Sequence, residues 1–457
     1  MSKGTKNEPA GKAAVSLPIV HLDAAGIDVS ATMHMVAVPE GREKESIRQF
    51  GCFTRDLHEL ATWLKRCGIT TVAMESTGVY WRPLFSVLLE YGFDVALVNS
   101  RQIKNVSGRK TDKADARWIQ KLHSCGLLTS SYLPDEPTEK LRTLVRHRRR
   151  LREDASTYVL RMQKSMELMN IKLHSVISDI MGKTGKAIIE AILGGERNPK
   201  AFLPLVNGRI KASADTIEQS LTGTWNEEQL FLLAQNYDLH RYIEHKIEVC
   251  EKKIEEQLQL QAAMMEEGII ESCPTKLPTE KASRKRYTAK NAPNFDAHAY
   301  LKRIHGVDVT EIYGVSQTSA MEILAETGTH LRQWENEKKF VAWLNLCPNN
   351  KITGGKVISS MVMKKKAGNA TQAFRAAANS LQRSDHYLGH YFRKMKSKGG
   401  NKYAIIATAR KMAIIYYKMI TEKVAFNPIQ MEEYKEKMQA DKIAYYQKKI
   451  AQLQQVA

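Results

Sequence analysis

The sequence predicts an α/β domain at the amino end, then a long helical middle and a mainly helical carboxyl-terminal part. Three observations predict this. Short apolar or alternating runs give way to strand-and-helix alternation before residue 125, apolar residues then recur at three- and four-residue spacing, and Ala-rich or apolar helical runs follow residue 370.

Ala24 to Ser30 (AAGIDVS), Met33 to Val38 (MHMVAV) and Ser46 to Phe53 are predicted as three consecutive strands. Asp56 to Arg66 carries one apolar face through Leu57, Leu60, Ala61 and Leu64 and is predicted helical, with Gly68 as its stop. Thr71 to Met74 and Val95 to Val98 are predicted as buried parallel strands around a helix from Tyr80 to Glu90. A further helix carries RKTDKADARWIQKL. Three strands, then helix, strand, helix, strand, helix, is the element order of an RNase H-like (RuvC-like) domain.

In that layout Asp28 lies in the first strand and Glu75 closes the fourth, so neighbouring strand ends bring two carboxylates together. Asp112 and Asp115, three apart in a helix, put two more on one face. An unpaired carboxylate ending an apolar strand costs free energy unless a cation compensates it. Carboxylates suit Mg²⁺, and two such ions roughly 3.5 to 4 Å apart can activate a nucleophile and stabilise the leaving oxygen of a phosphodiester. The opposing reading is that a D-x-x-D pair is a solvated helix face, among 49 acidic residues in the chain.

Composition points the same way. The chain of 457 residues has room for two or three domains, and 69 Lys and Arg against 49 Asp and Glu leave a net charge of +20, so a polyanion is the expected partner. No apolar stretch approaches the roughly 20 residues of a membrane span, and the first sixteen residues lack a signal-peptide core. A cytoplasmic protein without membrane contact is expected. The six cysteines show no metal-binding spacing, so neither zinc nor disulfides are expected.

The middle region begins soon after Pro137. Leu141, Leu144, Leu151, Ala155, Tyr158, Met162, Met169 and Val176 form one seam, and Leu230, Leu233, Tyr237, Ile243, Ile247, Ile254 and Leu258 a second, parted by a stretch near Gly194 to Gly208. An antiparallel coiled-coil hairpin is the simplest arrangement. The run RHRRRLRED places Arg146, Arg148, Arg149, Arg150 and Arg152 within seven residues. Without matched acids such crowding is repulsive, so a phosphate partner is expected, the alternative being a solvated face. Lys276 to Asn294 is a second basic segment and reads as a linker. Thr310 to Gly328 reads as helix, glycine turn and second helix from Ser316, a helix-hairpin-helix-like pattern in which Gly314 could approach backbone phosphate. An ordinary helical turn is equally compatible. The boundaries expected are a tail 1–20, the RuvC-like domain 21–136, the coiled-coil region with a helical insertion 137–265, a basic linker 266–298, a C-terminal domain 299–425 and a last helix 426–457.

The pieces GIDVS, MESTGVYWRPL and RKTDKADARWI, followed by WLNLCPNNKITGGKVISS and KKKAGNATQAFRAAANSL, resemble the DEDD transposases of the insertion-sequence one-ten family. The resemblance implies excision and insertion of a DNA element, acting on element ends and target, under the direction of a structured guide RNA. It also implies a homodimer or homotetramer assembled through the helical middle. In the resembling proteins a serine before the glycine of the last motif joins covalently to DNA, and Thr353 stands at that position here. Ser359 and Ser360 are the alternative nucleophiles. Gly354 and Gly355 would allow close approach to phosphate, which Lys356, Lys364, Lys365 and Lys366 could neutralise. Two other functions remain open on the residues alone: a RuvC-like structure-specific nuclease using water, and a non-catalytic nucleic-acid-binding protein.

Overall fold

The computed structural model describes residues 18–103, 111–267, 291–362, 367–428 and scattered positions between 433 and 454. The expectations for the amino-terminal tail, most of the basic linker, Lys364, Lys365 and Lys366, and most of the last helix lie outside the described residues. The chain divides into two compact units, one ending at Leu133 and the other beginning at Pro134.

The first unit is a five-stranded mixed sheet. Its elements are β1 Ala24–Val29, β2 Met33–Ala37, β3 Ile47–Gly51, α1 Thr54–Arg66, β4 Thr71–Glu75, α2 Trp81–Glu90, β5 Asp94–Val98, α3 Ser100–Ile103 and α4 Asp112–Ser124. The spatial order is β3-β2-β1-β4-β5, with β1, β2 and β3 antiparallel and β4 and β5 parallel to β1. This topology is compatible with an RNase H-like domain. Alternation along the strands sorts the side chains. Ala25, Ile27, Val29, Val72, Met74 and Leu97 bury one face among Leu57, Leu60 and Leu64 of α1 and Leu84 and Leu88 of α2. Ala73 and Val98 lie on the other face with Ile119 of α4, beside Met35 and Ala37, which pack on Ala116.

The second unit is mainly helical. Its helices are α5 Glu136–Leu168, α6 Leu173–Val176, α7 Lys183–Leu193, α8 Ala214–Ser220, α9 Glu227–Glu267, α10 Ala297–His305, α11 Gln317–Thr327, α12 Glu337–Trp343, α13 Asn369–Ser380 and α14 Tyr387–Glu422, with a hairpin of β6 Lys351–Thr353 and β7 Lys356–Ser359. Helices α5 and α9 pair antiparallel: the Cys250 thiol donates to the Leu144 carbonyl at 3.5 Å, Arg152 meets Glu244 at 3.1 Å, and Met162 and Met166 share a core with Leu233 and Tyr237. The first apolar seam does not continue as one helix to Val176. Asn170 takes a left-handed φ of 56° after Leu168, and Val176 belongs to the separate α6. The separator is also longer than the stretch near Gly194 to Gly208, since α6, α7 and α8 form a small bundle that packs on the end of the α5–α9 pair in one shared apolar core.

Helix α14 is folded on itself. Gly399 and Gly400 leave helical geometry, Gly400 with φ 78° and ψ −178°. Phe392 and Met395 on one arm pack with Ala404 on the other, and the Lys411 ammonium lies 5.1 Å from the Tyr387 ring and 4.7 Å from the Tyr391 ring. A straight helix would hold residues 387 and 411 about 36 Å apart, so these contacts require an antiparallel hairpin. The sequence pattern of Tyr403 to Ile420 gave only its second arm.

Candidate active site

The register Gly26↔Ala73 and Ile27↔Met74 between β1 and β4, continued by one residue, sets Asp28 beside Glu75 at the ends of two adjacent parallel strands. Both share the sheet face of Gly26 and Ala73, and both are half-buried. Glu75 accepts a hydrogen bond from the Thr77 hydroxyl at 3.1 Å.

Helix α4 crosses that face antiparallel to both strands. At its last turn His123 Nε2 lies 2.9 Å from the Thr71 hydroxyl, at the start of β4, and Gln120 Nε2 donates to the Ala24 carbonyl, at the start of β1, at 3.3 Å. Near the middle the backbone of α4 sits so close to Gly26 that a Cβ there would lie 2.2 Å from Gln120 N and 2.6 Å from Ala116 O. The first turn of α4 therefore lies toward the strand ends that carry Asp28 and Glu75. It begins at Thr111, whose hydroxyl accepts from Ala114 N at 3.2 Å, and it holds Asp112, exposed, and Asp115, half-buried. Acidic residues favour a helix amino terminus electrostatically, so this placement suits α4 as well as a shared site.

In the second unit Thr353 ends β6 and pairs with Lys356 across the turn Gly354-Gly355, whose φ values are 54° and 76°. Two consecutive positive φ angles are those of a type I′ turn, which explains both glycines without a ligand. Thr353, Lys356 and Ser360 are exposed and Ser359 is half-buried, its hydroxyl accepting from Met361 N at 3.5 Å. The hairpin thus presents the Thr353 hydroxyl and the cation of its cross-strand partner together, on an open ribbon.

Residues 25–171 match a family model for DEDD transposases of the IS110 group, described as a transposase, and residues 308–393 match one described as the transposase of the IS116/IS110/IS902 family. The two matches lie in chain order and together cover about half the sequence; the first includes all four acids, the second Gly314 and Thr353. The chain belongs to the IS110 family of transposases. No curated protein matches it.

As an IS110-family transposase it is a DNA-recombining enzyme of a kind that employs a divalent metal. The donor chemistry here fits such an ion: Asp28, Glu75, Asp112 and Asp115 offer only hard oxygen ligands, two of them side by side on one half-buried sheet edge. Among the described residues, however, no three His, Cys, Asp or Glu side chains are gathered closely enough to hold a metal together. The acids share one end of one sheet face without forming a finished cage.

The arginine run of this transposase corrects one premise of the sequence reading, since acids do match it, from distant parts of the chain. Arg146 makes a two-pronged pair with Glu326, both contacts at 2.7 Å. Arg148 is buried against Glu251 at 2.7 Å and donates to the Asn291 carbonyl at 2.9 Å. Arg149 meets Glu153 at 3.1 Å and the side chains of Asn369 and Gln372, and Arg152 meets Glu244 and Glu251. Arg150 is exposed, with a long 3.4 Å contact to the Arg146 carbonyl. Four of the five cations are thus part of the architecture that joins α5 to α9, α11 and α13.

Gly314 is likewise held by packing. Its φ is 86°, and a Cβ would lie 2.7 Å from the Ala377 carbonyl of α13. A short 3-10 turn, Val309–Glu311, precedes it where the sequence suggested a helix, and Ser316 caps α11 by accepting from Ser319 N at 3.2 Å.

Proposed function

We propose that this transposase cuts and rejoins the ends of a DNA element with two sets of residues: the carboxylates Asp28, Glu75, Asp112 and Asp115, holding Mg²⁺, and the hydroxyl of Thr353 as nucleophile. The observation that supports the reading is the adjacency of Asp28 and Glu75 at the ends of β1 and β4, with the first turn of α4 running toward the same strand ends. When bound, Mg²⁺ would supply charge neutralisation for the phosphodiester and its leaving oxygen. Asp28 and Glu75 would orient the phosphate from the strand ends, and Asp112 and Asp115 from the helix. Thr353 would attack phosphorus and displace a sugar oxygen, its proton leaving to solvent and the DNA end remaining as a phosphothreonine ester. Lys356, its cross-strand partner, would offset charge on the phosphate. Ser359 and Ser360 are alternative nucleophiles on the same hairpin.

The reading extends to partners. A structured guide RNA directing the enzyme to element and target is proposed on the family resemblance; with four arginines of the α5 run already paired, Arg150 is the member of that run best placed to reach it. Homodimeric or homotetrameric assembly through α5 and α9, as a coiled coil, is supported by exposed Leu232, Leu239, Tyr242 and Val249, which recur along α9.

The test is to trap a covalent adduct with DNA carrying the element ends and to map it. A DNA-bearing peptide containing Thr353, lost in Asp28→Asn, supports the reading. Cleavage without any adduct would favour water as nucleophile, and full recombination by Asp28→Asn would remove the acids from the mechanism. Guidance by RNA is tested separately, by sequencing co-purified RNA and assaying recombination after RNase treatment.

A further inference from the structure

The positive charge of the chain is concentrated. Residues 338–421 contain seventeen Lys and Arg and a single acid, Asp385. That is a net +16 in a chain whose total is +20. Unlike the α5 arginines, this segment has almost no acid of its own to answer its cations. One exposed stretch of it, besides the β6–β7 hairpin, is the fold of α14: Lys396, Ser397, Lys398, Gly399, Gly400, Asn401, Lys402 and Tyr403 are all exposed. Among the described residues no ion pair involves Lys396, Lys398 or Lys402.

The tip has a defined shape. Gly400 has φ 78° with open space where a Cβ would stand, and a Cβ on Gly399 would lie 2.8 Å from the Tyr403 ring. The Phe392, Met395 and Ala404 core below it fixes the two arms. Three lysines are therefore carried within seven residues on a narrow turn whose glycines leave the backbone bare. The matched family segment ends at residue 393, before this turn.

We propose that the tip of the α14 hairpin grips the phosphodiester backbone of duplex DNA, with Lys396, Lys398 and Lys402 as its phosphate contacts. Charge complementarity selects a polyanion, and the narrow tip with three mobile ammonium groups suits backbone contact without sequence reading. DNA is the occupant because the inference rests on the reading of the chain as an enzyme that joins DNA. Each phosphate neutralised on B-form DNA releases condensed counterions and adds about 0.9 to the slope of log affinity against log salt.

The experiment measures binding of the full chain to a short fluorescent duplex of arbitrary sequence over a range of salt. The variant Lys396→Gln/Lys398→Gln/Lys402→Gln should lose on the order of tenfold in affinity at moderate salt, with a slope lower by about 2 to 3. The charge-matched control Lys183→Gln/Lys186→Gln/Lys200→Gln should bind as wild type. An unchanged slope in the tip variant, an equal loss in the control, or a loss confined to an RNA hairpin probe would each overturn the proposal. Should the triple variant fail to fold, Ser397→Cys bearing a photo-crosslinker decides: an adduct with the duplex supports the tip contact and none refutes it. Binding is read without cleavage, so a wild-type chain that binds duplex yet never forms an adduct counts against Thr353 chemistry alone.

Discussion

Arg148 and Glu251 form a buried ion pair at 2.7 Å in the seam between α5 and α9, with the second Glu251 oxygen accepting from Asn294 N at 2.9 Å. Both side chains are almost wholly removed from water, so neither can be re-solvated if its partner is lost. Glu251→Gln should destabilise the second unit by about 3–5 kcal/mol, because a buried guanidinium is left with a weaker partner. Arg148→Met/Glu251→Met should recover much of that loss, and urea denaturation of both variants checks the comparison.

Gly26→Ala should disable cleavage while all four acids remain in the chain. The added methyl collides with the backbone of α4, which must lift away from β1 and carry Asp112 and Asp115 from Asp28 and Glu75. A stability loss of about 1–3 kcal/mol is expected from overpacking. Strand cleavage should fall far more than DNA affinity, and equal loss of both would contradict a positional effect.

At the hairpin, Thr353→Ser should keep adduct formation and Thr353→Val should abolish it, since valine preserves shape without the hydroxyl. Lys356→Gln should slow adduct formation on the order of tenfold without moving its site. Mass spectrometry of trapped complexes reads both.

Two buried histidines give stability a pH dependence. Burial, reinforced by the neighbouring His21, pulls His123 down to about 4, and burial beside Lys423 pulls His305 down to about 3. The unfolded chain, with histidine near 6.5, takes up protons first as pH falls. Stability should therefore be full above about 6.5 and decline through the window down to about 4 and 3, by at most about 3 kcal/mol for His123 and about 5 kcal/mol for His305. Thermal melts of His123→Gln should show a flatter slope for the first unit between those limits; an unchanged slope would mean that the ring is protonated in the native state.

The first unit was legible in the sequence because its information is local. Short apolar or alternating runs gave β1, β2, β4 and β5 nearly to the residue, and Asp28 and Glu75 stood out as acids at or near the ends of such runs. The arginine run was not legible in the same way. Its partners Glu244, Glu251 and Glu326 lie roughly 90 to 180 positions further along the chain, and only the pairing of α5 with α9 and α11 brings them near. The fold in α14 escaped for a different reason: only the second arm carries a continuous apolar run, the first is mixed with Arg393, Lys394, Lys396 and Lys398, and the turn is marked only by two glycines.

The anchoring of α4 is lopsided. Its last turn is tied to the sheet through His123 and Gln120 and to the segment before β1 through the Ser124 carbonyl, which accepts from Val20 N at 2.7 Å, whereas Asp112 stands exposed at the other end beside a threonine cap. Amide exchange along this one helix should accordingly grade from slow at Ser124 to fast near Ala114. A cation held by strand ends and helix start together would act as a second rivet, and titrating one in should erase the gradient from the loose end inward.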